Sequence, residues 1–121
     1  MSRRRLWILA VALGGWAVAR ALGVFRVEVA GRSMIPTLRP GDWLVATRAG
    51  RIRRGRVVVP THPDRGLDLV KRIADASGGR YLVVGDNPTE STDGRGFGPV
   101  GRESIEGVVR FRYWPRPAPV R

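Results

Sequence analysis

The spacing of apolar positions divides the chain into two regimes. After Ser2-Arg3-Arg4-Arg5, an apolar run extends from Leu6 to Phe25, broken only by Arg20. Twenty residues of helix cover about 30 Å, the thickness of a bilayer core. A membrane-spanning helix is therefore expected, with the long stem of Arg20 reaching the headgroups near one end. The three arginines ahead of it predict a cytoplasmic N-terminus and a chain that emerges on the other side. A cleaved signal peptide is the rival reading, because Ala17-Val18-Ala19 has the small-x-small form of a cleavage site. A buried core helix is the third, although the rest of the chain looks too small and too β-rich to surround one.

From Phe25 the period becomes two. Phe25-Arg26-Val27-Glu28-Val29-Ala30 alternates apolar and polar side chains, as a half-buried strand does. The stretch Gly31 to Asp42 is dense in Gly and Pro and is expected to be a shaped loop closed by a turn at Pro40-Gly41. Asp42 to Thr47 reads as a second strand, and Arg48 to Arg56 as a basic connector, solvated or facing lipid headgroups. Val57-Val58-Val59-Pro60 is a third strand, and His62 to Gly66 a tight turn. In the strand Leu67 to Ile73, alternation places Leu67, Leu69, Lys71 and Ile73 on one face. Asp75 to Gly79 is expected to turn into a further strand, Tyr81 to Val84. A Gly-rich segment, 85–101, precedes a last strand at Gly107 to Trp114, and the Pro-rich tail is expected to be loose. The expected organisation is a basic segment and anchor over 1–25, one mainly β domain over 26–114, and a tail over 115–121.

Composition narrows the chemistry. With 121 residues there is room for one compact domain, and 16 Gly with 9 Pro fit short strands joined by turns. The absence of cysteine excludes disulfides and thiolate metal sites, and the single histidine, His62, excludes a multi-His metal site. No metal or cofactor is expected. A net charge of +12 calls for an anionic neighbour, phospholipid or nucleic acid. Basic residues interleaved with apolar ones, behind a candidate span, favour anionic membrane lipids and no nucleic acid. Of the 22 basic residues only Lys71 is a lysine.

That lysine has a candidate partner in Ser33, in the shaped loop. A serine hydroxyl is a poor nucleophile unless a neighbour takes its proton. Lysine can do so only when neutral, and its free pKa is near 10.4. Lowering that to about 7 takes roughly 4–5 kcal/mol of environment favouring the uncharged form, which desolvation on an apolar sheet can supply. Lys71 beside Leu69, Val70 and Ile73 suits this; the plain alternative is a surface lysine next to Arg72. His62 with Asp64 is a rival base, but residues two apart in a turn make poor triad geometry.

Gly31-Arg32-Ser33-Met34-Ile35-Pro36-Thr37-Leu38 with Gly41-Asp42 resembles the nucleophile box of type I signal peptidases. Val70-Lys71-Arg72-Ile73 is similar to their lysine box. Gly85-Asp86-Asn87-Pro88 through Ser91, Asp93, Arg95, Phe97-Gly98 and Val100 resembles their third box, and the three stand in family order. The resemblance implies a Ser/Lys endopeptidase that cuts leader peptides from translocated precursor proteins. It implies an antiparallel β-sheet or barrel-like catalytic core behind a retained N-terminal membrane anchor, with the catalytic domain outside the cytoplasm. By position, Ser33 matches the nucleophile and Lys71 the general base. Ser91 matches a hydroxyl that orients the lysine, and Asp93 with Arg95 a supporting ion pair. Asp86 and Asn87 match residues that shape the loop.

The chain also departs from the pattern. Gly31 stands where some members carry a serine that donates to the oxyanion, leaving the Ser33 N–H as the one donor expected. Gly94 replaces a common serine, and the large insertion some bacterial members carry between the second and third boxes is absent. Within the family, the short length, Gly-Asp-Asn-Pro and Arg-Tyr-Trp-Pro resemble a narrower group that matures nickel-type superoxide dismutase. Self-cleaving SOS repressors share a Ser/Lys dyad and cut an Ala-Gly bond. Ala30-Gly31 lies too close to Ser33 to fold back into that site, and no DNA-binding domain is present. A catalytically idle, membrane-anchored basic binding module is the alternative from outside enzymology.

Overall fold

An apolar helix leads into the sheet with no linker between them. The computed structural model describes residues 2–61, 70–89 and 98–121. Helix α1, Arg3–Leu22, is capped by the Ser2 hydroxyl, which accepts from the Arg5 N–H, and ends at Gly23 in the left-handed conformation. None of its residues is buried, which overturns the core-helix alternative, and it is long and apolar enough to cross a bilayer. The helix stops short of the expected end at Phe25. Gly23 caps it, and Val24 and Phe25 already pair with Thr47 and Ala46 as strand.

The remainder is mainly β: a single antiparallel sheet curved into a half-barrel. Among the described residues its strands are β1 Val24–Glu28, β2 Trp43–Thr47, β3 Val57–Pro60, β4 Lys71–Ser77, β5 Arg80–Val84, β6 Val100–Gly101, β7 Ile105–Trp114 and β8 Ala118–Pro119. The order across the sheet is β1-β2-β7-β3-β4-β5-β6, with β8 added beside β7. The long strand β7 joins the two halves, pairing with β2 on one side and β3 on the other. Consecutive side chains on a strand face opposite ways, and β3 is buried on both faces. Val57 and Val59 enter a core with Val27, Leu44 and Val109, whereas Val58 enters a second core with Ile73, Ile105 and Val108. The alternation that predicts half-buried strands therefore fails at β3, and a continuous valine run stands in its place.

Two expectations need correction. β4 does not turn at Asp75 but runs on to Ser77, pairing with Arg80 across a two-residue turn of Gly78 and Gly79. Both glycines have positive φ, 58° and 73°, the geometry a tight hairpin requires and side-chain-bearing residues resist. The tail is not loose. Residues 118–119 pair with Phe111 and Arg112, the Val120 N–H donates to the Arg110 carbonyl at 3.2 Å, and Val120 is buried in the first core. A Pro-rich composition hid this, because proline lacks the N–H of a central strand yet suits an edge.

Candidate active site

The loop carrying Ser33 is closed at its base and nailed down at its centre. Val29 closes the base of the loop beyond the β1–β2 ladder, its N–H donating to the Asp42 carbonyl at 2.8 Å. The Gly41 N–H returns to the Val29 carbonyl at 3.0 Å. The Asp42 carboxylate accepts from the Arg39 N–H at 2.9 Å and lies 3.4 Å from the Arg112 guanidinium of β7. Inside the loop, Met34 and Leu38 are each 1% exposed and sit in the first core. A turn in which the Leu38 N–H donates to the Met34 carbonyl at 2.9 Å links them. The Ile35–Pro36 peptide is cis. Two buried side chains so close in sequence leave the loop little freedom, and Ser33, immediately before Met34, is half-buried.

Lys71 begins β4 and is only 3% exposed. It lies opposite Val58, and cross-strand partners in an antiparallel ladder share a face. Ile73, two residues on, is buried as well. The surface-lysine alternative is thereby overturned. Val70, just before Lys71, belongs to the same core as Met34, just after Ser33. Leu67 and Leu69, expected on this face, lie outside the described residues, as do His62 and Asp64.

The loop after β5 bridges these two elements. The Asn87 N–H donates to the Ser33 carbonyl at 2.8 Å, and its side-chain amide donates to the Arg32 carbonyl at 3.1 Å. Asp86 takes a two-pronged contact from Arg72, Nε to Oδ1 and Nη2 to Oδ2, both at 2.8 Å. It also accepts from the Thr37 hydroxyl at 2.5 Å. Arg72 is tied further to the Gly55 carbonyl at 2.8 Å. The hydrogen bond from Arg72 holds the Asp86 carboxyl below the usual carboxylate range, with the Thr37 hydroxyl adding to the effect. Thus the residue after Lys71 grips Asp86, and Asp86 grips the Ser33 loop through Thr37.

Sequence reasoning places Ser33, Met34, Pro36, Lys71, Asp86 and Asn87 in the site, and the structure brings their segments together. Ser91, Asp93 and Arg95 lie outside the described residues. Thr37 and Arg72 escape sequence reasoning as bracing groups. The available signal is that a charged residue adjoining Lys71 must emerge on the opposite face of the strand, where it needs a partner. Gly31 has φ 78° with open space where a β-carbon would stand. A serine at that position would hold a backbone conformation that side-chain-bearing residues rarely adopt, so the glycine suits the observed loop.

The family model of "Signal peptidase, peptidase S26" matches residues 2–79 and 74–114. The two matched segments overlap at residues 74–79, the end of β4 and the turn after it. Signal peptidase IB of Staphylococcus aureus (strain COL) is 26% identical, covering 90% of this chain and 88% of its own length. Its alignment runs over 171 residues, longer than this chain of 121, so it carries insertions that are absent here. Mitochondrial inner membrane protease subunit 1 of Xenopus tropicalis is 30% identical over 114 residues, covering 74% of this chain and 68% of that protein. With the family model spanning the helix, the Ser33 loop, β4 and the strands up to Trp114, the chain belongs to the signal peptidase family, peptidase S26.

Proposed function

We propose that this peptidase is a membrane-anchored serine endopeptidase that removes N-terminal leader peptides from precursor proteins, with Ser33 as nucleophile and Lys71 as general base. The observation that carries the reading is the burial of the chain's only lysine, at 3% exposure, on a strand braced to the serine loop. Burial disfavours the charged form of an amine, and the neutral amine is the form that can accept a proton.

In the proposed reaction, Lys71 Nζ takes the proton of Ser33 Oγ as that oxygen bonds to the scissile carbonyl carbon. Collapse of the tetrahedral intermediate breaks the C–N bond, and Lys71 passes the proton to the leaving amine. Lys71 then deprotonates a water that attacks the ester, releasing the leader carboxylate and restoring Ser33. The Ser33 N–H serves the developing oxyanion. Ser91 orients Lys71, and Asp93 with Arg95 supports the site. Residues 1–25 serve as a retained anchor with its N-terminus cytoplasmic, placing the domain of residues 26–114 on the far side beside anionic lipids. Leader-bearing precursors as substrates follow from relatives named signal peptidase.

A preprotein cleavage assay tests this. Ser33→Ala and Lys71→Ala are each expected to cut the rate by roughly 10³-fold or more. Undiminished cleavage in both would overturn the dyad, whereas no cleavage by the intact protein would leave the binding-module reading standing instead. The pH–rate profile should rise with a base titrating well below the ordinary lysine value of about 10.4. Comparing a generic secretory precursor with a nickel-type superoxide dismutase precursor separates a general peptidase from a dedicated one. The short chain and its Arg-Tyr-Trp-Pro ending motivate including the second substrate.

A further inference from the structure

The C-terminal end of α1 is fastened to the sheet by main-chain bonds. The Arg48 N–H donates to the Gly23 carbonyl at 3.1 Å, and the Ala49 N–H to the Leu22 carbonyl at 3.0 Å. The connector after β2 therefore begins at the level where the helix ends. Two more arginines converge on the same residues. Arg102, in a 3-10 turn at Arg102–Ser104, donates to the carbonyls of Arg48 at 2.8 Å and Ile105 at 2.6 Å. Arg110, from β7, donates to the Thr47 hydroxyl at 3.0 Å and the Ala49 carbonyl at 3.3 Å. Gly50 leaves room for this, since a β-carbon there would collide with the Arg110 guanidinium. The Arg48 guanidinium lies 4.7 Å from the centre of the Phe25 ring, and exposed Arg20, in the last turn of α1, lies 5.2 Å from that of Trp16.

The hydrogen-bond acceptors holding these arginines are neutral. Among the described residues, the carboxylate ion pairs lie elsewhere, at Arg72–Asp86 and Arg112–Asp42. Each of these arginines is held near the helix end by neutral groups, through its side chain or its own backbone. Arg102 and Arg110 each use part of a five-donor fork, leaving N–H groups for another acceptor.

We propose that Arg20, Arg48, Arg102 and Arg110 ring the end of α1 as a collar that binds the headgroup phosphates of anionic phospholipids there. The proposal rests on the reading of α1 as a membrane anchor. A guanidinium presents two parallel donors to phosphate oxygens. A lipid, rather than a free anion, is the ligand because exposed Trp16, Leu22 and Val24 set apolar surface beside the charges. Acyl chains would cover that surface, and an inorganic ion would not.

Native mass spectrometry of the full-length protein in micelles containing phosphatidylglycerol or phosphatidylcholine tests the collar. Preferential retention of phosphatidylglycerol is expected, falling about fivefold for each collar arginine neutralised. The triple variant Arg48→Gln/Arg102→Gln/Arg110→Gln should lose the preference, and lysine at the same three positions should keep most of it. Because Arg102 and Arg110 also brace carbonyls, Arg48→Gln alone provides a variant expected to fold normally and lose part of the preference. Arg53→Gln/Arg54→Gln, at exposed connector positions, should leave it unchanged. Equal retention of the two lipids overturns the collar, as does a loss caused by the Arg53/Arg54 variant instead. Displacement of the lipid by millimolar inorganic phosphate would overturn the headgroup assignment. The readout does not depend on cleavage, so an inactive but lipid-selective protein would refute the peptidase reading and leave the collar intact.

Discussion

The Asp86 carboxylate accepts from Arg72 through two oxygens and from Thr37, so one side chain joins the strand of Lys71 to the loop of Ser33. Hydrogen bonds to a charged group contribute about 1.5–3 kcal/mol, and this carboxylate is held below its ordinary pKa by the Arg72 contact. A lowered folded-state pKa means that the contribution is fully present above the unfolded value of about 3.9. It is lost as pH falls through that value toward the folded one. Asp86→Asn should therefore lower stability at neutral pH by about 1–3 kcal/mol and flatten the loss of stability on acidification below about pH 4. Thermal melts of both proteins across that range check this. An unchanged acid limb in the variant would show that Asp86 is not the titrating brace.

Among the strands and their connections, the C-terminal segment departs most from its sequence. Val120 is buried with Leu44 and Val109, and β8 extends the sheet beside Phe111 and Arg112. Burying a valine contributes about 1.5–3 kcal/mol. Removing residues 118–121, or making Val120→Asp, should lower the melting temperature by roughly 6 °C or more, at about 4–8 °C per kcal/mol for a domain of this size. A tail that is merely attached would leave the melting temperature unmoved. Strands β1 and β2 were legible because their alternation matches one buried face, and β3 because a valine run has few other uses. The end of β4 was not, since Ala74, Asp75, Ala76 and Ser77 carry no apolar signal and owe their pairing to the Gly-Gly turn. The segments that carry Ser33, Lys71 and Asp86–Asn87 were legible as motifs. The Arg72–Asp86–Thr37 linkage was not, because it joins residues 14 and 49 positions apart that no local pattern relates.

Taken whole, the molecule is a sheet hung directly on an exposed apolar helix. Alkaline carbonate extraction of membranes containing the full chain should leave it in the pellet, and deleting residues 1–22 should release it. Recovery of the intact chain in the soluble fraction would refute both the anchor and the orientation built on it.

The joint at Gly23 also acts as a ruler. β1 starts at the next residue and runs for five residues before the serine loop, a rise of about 17 Å at 3.3 Å per residue. The bonds from Arg48 and Ala49 to the helix end keep that segment from swinging freely. With the helix across a bilayer, Ser33 is thus confined to a thin layer above the membrane. A scissile bond would then be chosen partly by its height over the lipid, as well as by the side chains around it.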